Sequence, residues 1–437
     1  MMIQKILEHL KIPSLNEMQL ASIEAAKKEN DVILLSPTGS GKTLGFLLPI
    51  LHSLDAKKAG VQALILVPSR ELAIQIETVF KSMNTGFKVN CCYGGHSTKT
   101  EKNNFEHPAS VLVGTPGRIA FHIRRNSFDT NTVSTLVLDE FDKSLEFGFK
   151  EEMSYIIHEL KKLEKRILTS ATKMKEIPDF TGVKDPIELN YLSTTPTKPQ
   201  GLKLKIVKAE GTDKLDTLFS LICKLGNRAS LIFCNHREAV ERISGLLWDK
   251  GLAHGIFHGG MEQEGRERAL IKFRNGSHKM LITTDLASRG LDIPEIEYVI
   301  HYQLPHSEDI FIHRNGRTAR MNAKGTSYLL LSETEYVPSF IKESPEVETL
   351  PEKNVIPEKS EWVTLYIASG KKDKINKVDI VGLLLQKGNL QKEELGLIEV
   401  LDHSSYAAVT TKKAEAVVQL VKNEKIKGKK VKIEVSK

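Results

Sequence analysis

Cysteine, aromatic rings and long apolar runs are all scarce in this chain. Four cysteines, Cys91, Cys92, Cys223 and Cys234, stand among 437 residues. Their spacing fits neither a zinc site nor a disulfide framework. The expectation is reduced thiols in a cytoplasmic protein. No stretch reaches the ~18 consecutive apolar residues of a membrane helix, so no membrane partner is expected. The start, Met1-Met2-Ile3-Gln4-Lys5, has no basic segment followed by an apolar core and a small-residue cleavage site, and no export signal is expected. What remains is an ordinary globular composition, 40% apolar and 27% charged, in a chain too long for one core. Charge is less even. The net charge is +7, and residues 361–437 hold 15 Lys against 10 acidic residues, +5 of that total. A basic appendage of this kind suggests a polyanionic partner.

Over residues 1–195 short apolar runs alternate with amphipathic segments. Runs at 32–35, 63–67, 111–113, 136–138 and 167–169 predict buried strands, and 69–80 and 150–163 predict helices. This is the pattern of a parallel sheet covered on both faces. The breaker-rich stretch 191–199 predicts a linker. The alternation then restarts, with strands at 231–233, 253–257, 280–282 and 298–301 and helices at 238–248 and 266–273. Residues 344–360, rich in Pro and Glu, predict a second, flexible linker. Beyond it come a strand (362–367), a helix (377–387), two strands (397–402, 406–410), a helix (414–423) and a strand (431–435). That β-α-β-β-α-β order is the split βαβ fold used by RNA recognition motifs.

Ser36-Pro37-Thr38-Gly39-Ser40-Gly41-Lys42-Thr43 directly follows the apolar run Val32-Ile33-Leu34-Leu35. A strand running into a Gly-rich loop that ends in Lys-Thr is the pattern of a P-loop. The glycines let several backbone N–H groups point at one anion, and the helix that follows adds its positive end. Lys42 would reach the β- and γ-phosphates of a nucleoside triphosphate, and Thr43 would ligate Mg²⁺. A second apolar run, Leu136-Val137-Leu138, ends in Asp139-Glu140-Phe141-Asp142. Asp139 would hold the Mg²⁺ and Glu140 would orient or deprotonate the attacking water. The second half of the chain has no P-loop of its own.

With these residues in view, the first ~345 positions resemble the DEAD-box RNA helicases of superfamily 2. The family's motifs occur in order. They are Gln19, the P-loop, Pro68-Ser69-Arg70-Glu71-Leu72, Gly94-Gly95, Thr115-Pro116-Gly117-Arg118, the acidic motif and Ser170-Ala171-Thr172. The second half adds Gln263-Glu264-Gly265-Arg266, the run from Thr284 to Asp292 and His313-Arg314-Asn315-Gly316-Arg317-Thr318-Ala319-Arg320. The resemblance implies two tandem RecA-like domains, 1–195 and 200–343, followed by the linker 344–360 and an RRM-like domain, 361–437. It implies that Gln19 reads adenine, that Asp292 bonds the ribose, and that Arg317 and Arg320 are arginine fingers from the second domain, so that hydrolysis requires closure. It makes His313 the link between the ATP site and the interdomain surface. Ser170 and Thr172 couple the acidic motif to closure. Arg70, Gly95, Thr115, Arg118, Gln263, Arg266 and Thr284 match positions that grip the RNA backbone, contacts that carry no base information.

The chain departs from the family at several positions. Phe141 stands where Ala is usual, Ser36 replaces Ala, Ser69 replaces Thr, and Asn315 and Ala319 replace an apolar residue and Gly. No aromatic residue lies well upstream of Gln19. The tail resembles the C-terminal RNA-binding domain of the DbpA/YxiN type of bacterial DEAD-box proteins, through residues 365–375, Ser405-Tyr406-Ala407-Ala408-Val409 and residues 425–431. Tyr366 and Tyr406 occupy two stacking positions, while Ala408 and Thr411 fall where further aromatics often lie. Recognition is therefore expected to lean on Lys371, Lys372, Lys374, Lys427, Lys429 and Lys430 and on RNA shape. The reading is an ATP- and Mg²⁺-dependent RNA helicase, a monomer that unwinds short duplexes or remodels ribonucleoprotein. The resemblance points it at a hairpin of large-subunit ribosomal RNA and at a pre-ribosomal particle during ribosome assembly. Two alternatives stay open, an ATP-gated RNA clamp with little unwinding and a DNA translocase of the same superfamily. The complete motif set argues against the second of these.

Overall fold

A computed structural model of the chain describes residues 2–436 apart from 38, 95–104, 107–108, 175, 193–200, 289–292, 294–295, 319–324 and 343. Thr38, Gly95, Asp292 and Arg320, and most of the expected linker 191–199, lie outside the described residues. The chain divides after residue 197 into two compact units.

In the first unit, helices α1 (Met2–Leu10) and α2 (Glu17–Lys28) lead into β1 (Asp31–Leu35) and α3 (Lys42–Ser53). The chain continues through β2 (Ala63–Leu66), α4 (Arg70–Ser82), β3 (Val89–Cys92), β4 (Val111–Gly114) and α5 (Pro116–Arg124). It ends with β5 (Thr135–Leu138), α6 (Phe141–Glu146), α7 (Lys150–Glu159), β6 (Lys165–Ser170) and β7 (Ile187–Asn190). The strands form one sheet in the order β3-β4-β2-β5-β6-β1-β7, every pair parallel. Alternate residues sort to opposite faces. Ile65 and Val67 join Phe46, Leu47 and Ile76 on one side, whereas Leu64 and Leu66 join Ile119, Met153 and Ile156 on the other. Because helices cover both faces, the strands read as continuous apolar runs. The short edge strands β3 and β7 lacked such a run and escaped the sequence reading.

The second unit repeats the plan. Its first elements are β8 (Leu202–Lys208), α8 (Leu215–Leu225), β9 (Ser230–Phe233), α9 (Arg237–Asp249), β10 (Gly255–Phe257) and α10 (Gln263–Arg274). Then come β11 (Met280–Thr283), β12 (Tyr298–His301), α11 (Glu308–Asn315), β13 (Gly325–Leu331) and β14 (Glu346–Val347). The sheet runs β10-β11-β9-β12-β13-β8-β14, again all parallel. β14 corrects the expectation of a free linker over 344–360. It pairs with β8, and Glu348 just after it binds Lys205 at 2.7 Å and also Lys224. Charge pairing outweighs the low apolar content that suggested flexibility.

The tail belongs to the same unit. It holds β15 (Trp362–Ile367), α12 (Lys377–Gly382), β16 (Leu395–Val400), β17 (Ser405–Thr410), α13 (Ala414–Val421), β18 (Lys425–Ile426), β19 (Lys429–Lys430) and β20 (Ile433–Val435). The sheet β16-β17-β15-β20 is antiparallel. Leu365, Ile367, Ala407 and Val409 pack on Ile380, Leu384, Val417 and Val421 of the helical side, so the expected split βαβ fold is present. The helix expected over 377–387 is α12 followed by a wider π turn, Leu383–Lys387. The hairpin β18–β19 was not foreseen. Its two-residue turn puts Lys427 at φ +49° and Gly428 at φ +82°, which a type I′ turn requires, but the usual Asn-Gly or Asp-Gly signal is absent.

Candidate functional site

The chain turns from β1 into α3 through two glycines in the left-handed region, Gly39 at φ +83° and Gly41 at φ +87°. A Cβ on Gly41 would sit 2.5 Å from Gln19 Nε2, so both the backbone angle and the close approach demand glycine. The loop is braced from α2. Asn16 Nδ2 donates to the Ser40 carbonyl at 2.9 Å and Gln19 Nε2 donates to the Gly41 carbonyl at 3.1 Å. Ser36 N–H donates to the Ser170 carbonyl at 3.0 Å, and the Ser36 and Ser40 hydroxyls meet at 2.7 Å. Lys42 Nζ donates to the Pro37 carbonyl at 2.8 Å. Thr43 is half-buried in the first turn of α3. This turn carries N–H groups without intrahelical partners, which suit an anion.

Gln19 is nearly buried, 5% exposed. It completes the capping box of α2, with its Oε1 accepting from Asn16 N–H at 3.0 Å. A carboxamide offers two donors and two lone pairs, so one of each remains for a base edge. The same side chain that would read adenine therefore holds the phosphate loop.

Asp139 sits at the tip of β5, 4% exposed. Burial pushes its carboxyl above the usual range, and the Thr169 hydroxyl and Lys42 ammonium pull it back. Thr169 Oγ–H donates to Asp139 Oδ1, and Glu140 N–H donates to Thr169 Oγ1 at 3.3 Å. Glu140 has φ +48°, an uncommon angle for a residue with a Cβ. The sequence reading missed Thr169. Its signal was its place at the end of β6, beside β5 and one residue before Ser170. Thr172 Oγ–H donates to Asp142 Oδ2 at 3.0 Å. Ser170 differs from expectation, because its hydroxyl donates to the Thr172 carbonyl at 2.7 Å and so supports the turn that aims Thr172. The unusual Phe141 is fully buried and tilted against Phe180, with ring centroids 6.2 Å apart. A side pocket of the core thus takes up the ring.

Among the described residues no cluster of three or more His, Cys, Asp or Glu could hold a metal by itself. Asp139 and Thr43 are hard oxygen donors, and Mg²⁺ completes such a set with phosphate oxygens and water. The residues fit that ion.

Arg70 opens α4 after β2, and Thr115 caps α5 directly after β4. Arg118 lies over the Phe121 ring at 4.6 Å. These residues follow the carboxyl ends of their strands, on the same edge as the phosphate loop, where open α/β sheets bind ligands. In the second unit Arg266 Nη2 donates to Gln263 Oε1 at 2.6 Å, and Gln263 Nε2 donates to Glu267 at 2.9 Å. Thr284 follows β11, half-buried. His313 and Arg317 are 1% and 2% exposed at the end of α11. Arg314 was not singled out from sequence, yet it organises this end. Its guanidinium binds Asp285 through two atoms, the closer at 2.6 Å, and also the Gln303 carbonyl and Asn235 Oδ1.

The tail corrects one expectation. Tyr406, expected on an open stacking platform, is 1% exposed; Tyr366 is half-buried, their rings 5.5 Å apart. Lys371 is exposed. Lys427 pairs with Asp379 at 2.9 Å and donates to the Lys374 carbonyl at 2.6 Å. The hairpin thereby brings Lys427 and its neighbours beside the turn 371–374.

Comparison with known proteins gives three successive family matches. Residues 16–180 match DEAD/DEAH box helicase, 213–322 match the helicase conserved C-terminal domain, and 364–435 match the DbpA RNA binding domain. The chain is 30% identical to the ATP-dependent RNA helicase DbpA of Bacillus subtilis, over 99% of this chain and 96% of that protein. It is 29% identical to the ATP-dependent RNA helicase DbpA of Escherichia coli, over 97% and 95%. Among solved structures it is similar to Saccharomyces cerevisiae Dbp5 bound to RNA and ADP BeF3. That match has a TM-score of 0.68 and 27% identity, and covers 76% of this chain and 88% of that one.

Proposed function

The chain belongs to the DbpA family of ATP-dependent RNA helicases, and from that premise we propose that it remodels structured ribosomal RNA during assembly of the large ribosomal subunit. As a member it is an RNA-stimulated ATPase with a DEAD-box core and a DbpA-type RNA-binding domain. The target is the finer claim. It is supported by the lysines that the β18–β19 hairpin gathers beside the turn 371–374, a surface suited to RNA backbone and shape.

In this reading the P-loop amides and Lys42 bind the triphosphate of ATP, and Gln19 reads its adenine. Asp139 and Thr43 would hold Mg²⁺, which would supply positive charge against the charge that develops on the phosphates. Glu140 orients the attacking water, held in position by its backbone bond to Thr169. Thr172 carries the state of the acidic motif, through Asp142, to the turn after β6. Asp292 bonds the ribose. Arg317 and Arg320 belong to the second domain and stabilise charge at the γ-phosphate, so hydrolysis depends on both domains. His313 links the two functions. Arg70, Gly95, Thr115, Arg118, Gln263, Arg266 and Thr284 hold RNA backbone. Lys371 and Lys427 bind the target, with Tyr366 at the border of that surface. The protein acts as a monomer in the cytoplasm.

The carrying observation is the presence in one chain of the glycine-bent loop with the buried Asp139 beside it and of the lysine-bearing edge of the tail. The test is the ATPase rate against bulk ribosomal RNA, oligouridylate and single-stranded DNA, for the wild type and for Lys371→Glu with Lys372→Glu. Ribosomal RNA is expected to stimulate at the lowest concentration, with that advantage lost in the variant while oligouridylate stimulation persists. Equal stimulation by both RNAs in both proteins would sink the targeting claim.

A further inference from the structure

The hydroxyl of Thr169 touches both members of the acidic pair, and the sheet explains why. β6 lies between β5, which ends in the acids, and β1, which feeds the phosphate loop. In the parallel register Leu138 stands beside Leu168, and Leu34 beside Thr169. One residue further along, Asp139 and Thr169 are level. Side chains that are level in neighbouring strands point to the same face of a sheet. Thr169 is 0% exposed, so its hydroxyl must find partners inside the protein.

It finds two. Its Oγ–H donates to Asp139 Oδ1, and its Oγ1 accepts from the Glu140 N–H at 3.3 Å. A hydroxyl carries one proton and two lone pairs, so one group serves both neighbours. Hydrogen bonds chained in this way strengthen one another. Threonine hydroxyls commonly bond backbone groups a few residues away. This one reaches partners 30 and 29 residues away in sequence. Valine has nearly the same shape and would fill the site as well, but it lacks the hydroxyl.

Glu140 needs such support. Its backbone lies at φ +48° and ψ +50°, the left-handed region that disfavours a residue with a Cβ. A conformation of this kind persists where the surroundings over-determine it. Before the turn, the Asp139 N–H donates to the Leu66 carbonyl at 3.0 Å. After it, the Glu140 carbonyl accepts from the Lys143 and Ser144 N–H groups, each at 3.0 Å. The next residue, Phe141, is fully buried against Phe180. These contacts hold the carbonyl side of Glu140, and Thr169 holds its amide side.

We propose that Thr169 is a positioning residue for ATP hydrolysis. Its hydroxyl joins the carboxylate that would hold Mg²⁺ to the backbone of the residue that would orient the attacking water, so the two acids keep one mutual placement. Thr169 acts through Asp139 and Glu140 and not on the substrate. It is distinct from Ser170 and Thr172, whose hydroxyls serve the turn after β6 and Asp142. The proposal rests on the roles given to Asp139 and Glu140 above.

The test uses the full chain with Thr169→Val, Thr169→Ser and Thr169→Ala. Wild type against Val, and Ser against Ala, each change the hydroxyl and little else of the shape. One readout is the affinity for a fluorescent ADP analogue, measured with Mg²⁺ and with a chelator in its place. The other is the ATPase kcat at saturating ATP, Mg²⁺ and oligouridylate. Val and Ala are expected to lose most of the affinity that Mg²⁺ adds, to keep the affinity seen in chelator, and to lower kcat about 10–100-fold, the scale of a hydrogen bond to a charged group. Ser should stay near wild type in both. Wild-type Mg²⁺ gain and kcat in Val and Ala would overturn the proposal and leave Thr169 as packing. Equal loss of affinity with and without Mg²⁺ would overturn it too, because the phosphate loop itself would then have moved. A Ser variant that behaves like Ala would show that the methyl group matters and the hydroxyl does not. Asp139→Asn is the control for the underlying reading. If it keeps the Mg²⁺ gain, the assignment of the ion to Asp139 fails, and the kcat pairs still decide whether the hydroxyl positions Glu140.

Discussion

The two RecA-like domains share one strand order, position for position, and differ in what they place at equivalent strand ends. β1 corresponds to β8 and β5 to β12. The phosphate loop after β1 is therefore matched by residues 209–214 after β8, and Asp139 by Tyr302. In the first domain two glycines bend the loop, Lys42 is held by neutral carbonyls, and a carboxylate stands nearby. In the second, Lys214 occupies the end of the loop, but it is buried and bound to Glu335 at 2.6 Å, with the Tyr302 ring 5.3 Å away. A phosphate can displace a carbonyl oxygen from an ammonium far more readily than it can displace a carboxylate. The scaffold offers the location in both domains, and the ionic partner decides whether it becomes a binding site or a structural joint.

The largest expected effect tests that contrast directly. Lys42→Ala should lower the ATPase kcat by at least about 10²–10³-fold, the usual scale for losing a charge-stabilising donor, with the melting temperature nearly unchanged. Lys214→Ala should do the reverse. It removes the buried ammonium and its bonds to Glu335 and to the Leu330 carbonyl, costing about 1–3 kcal/mol, and lowers the melting temperature while folded protein keeps its kcat. Steady-state kinetics and calorimetry on both variants check the crossing. A Lys214 variant with Lys42-like kinetics would break the comparison.

Arg314 sharpens it within the second domain. Its 0% exposed guanidinium joins Asp285, Asn235 and the Gln303 carbonyl. Arg314→Lys keeps the charge but loses the fork, and should cost about 1–3 kcal/mol, read as a lower denaturant midpoint. An unchanged midpoint would mean that the joint is not structural.

Much of this was legible in the sequence, because it lay in local patterns. Ser36 to Thr43 announced the loop, and Asp139 and Glu140 announced the acid, since strand, glycine and charge follow one another along the chain. What stayed hidden depends on pairs distant in sequence. Thr169 looks like an ordinary strand residue until β6 lies beside β5. Asn315, odd against the family pattern, makes sense only beside His301 and Ser327, where one Asn oxygen lies within hydrogen-bond distance of both side chains. Burial pushes His301 down to about 3, so it serves that network as a neutral ring. Tyr406 showed the opposite failure. Its place in the motif is a local pattern, but its burial, 1% exposed, depends on residues distant in sequence.

A third lysine gives the smallest test. Lys272 on α10 is 8% exposed, and burial, aided by Arg268, pushes its ammonium down to about 8. Lys214 has a carboxylate and Lys42 has backbone carbonyls, whereas Lys272 bears its desolvation as a cost. Between pH 8 and about 10.4 the unfolded chain keeps this proton and the folded one has lost it. Stability should therefore rise with pH across that window, and below it the penalty is complete. His278, pushed down to about 3 by burial and then by Lys272, stays neutral throughout and contributes no slope there. Lys272→Met should raise the melting temperature at pH 7 by a few degrees, with the gain shrinking as the pH climbs from 8 towards 10.5. A Met variant that melts lower at pH 7 would show that the ammonium is compensated after all, and would move Lys272 from the unanswered class into that of Lys214.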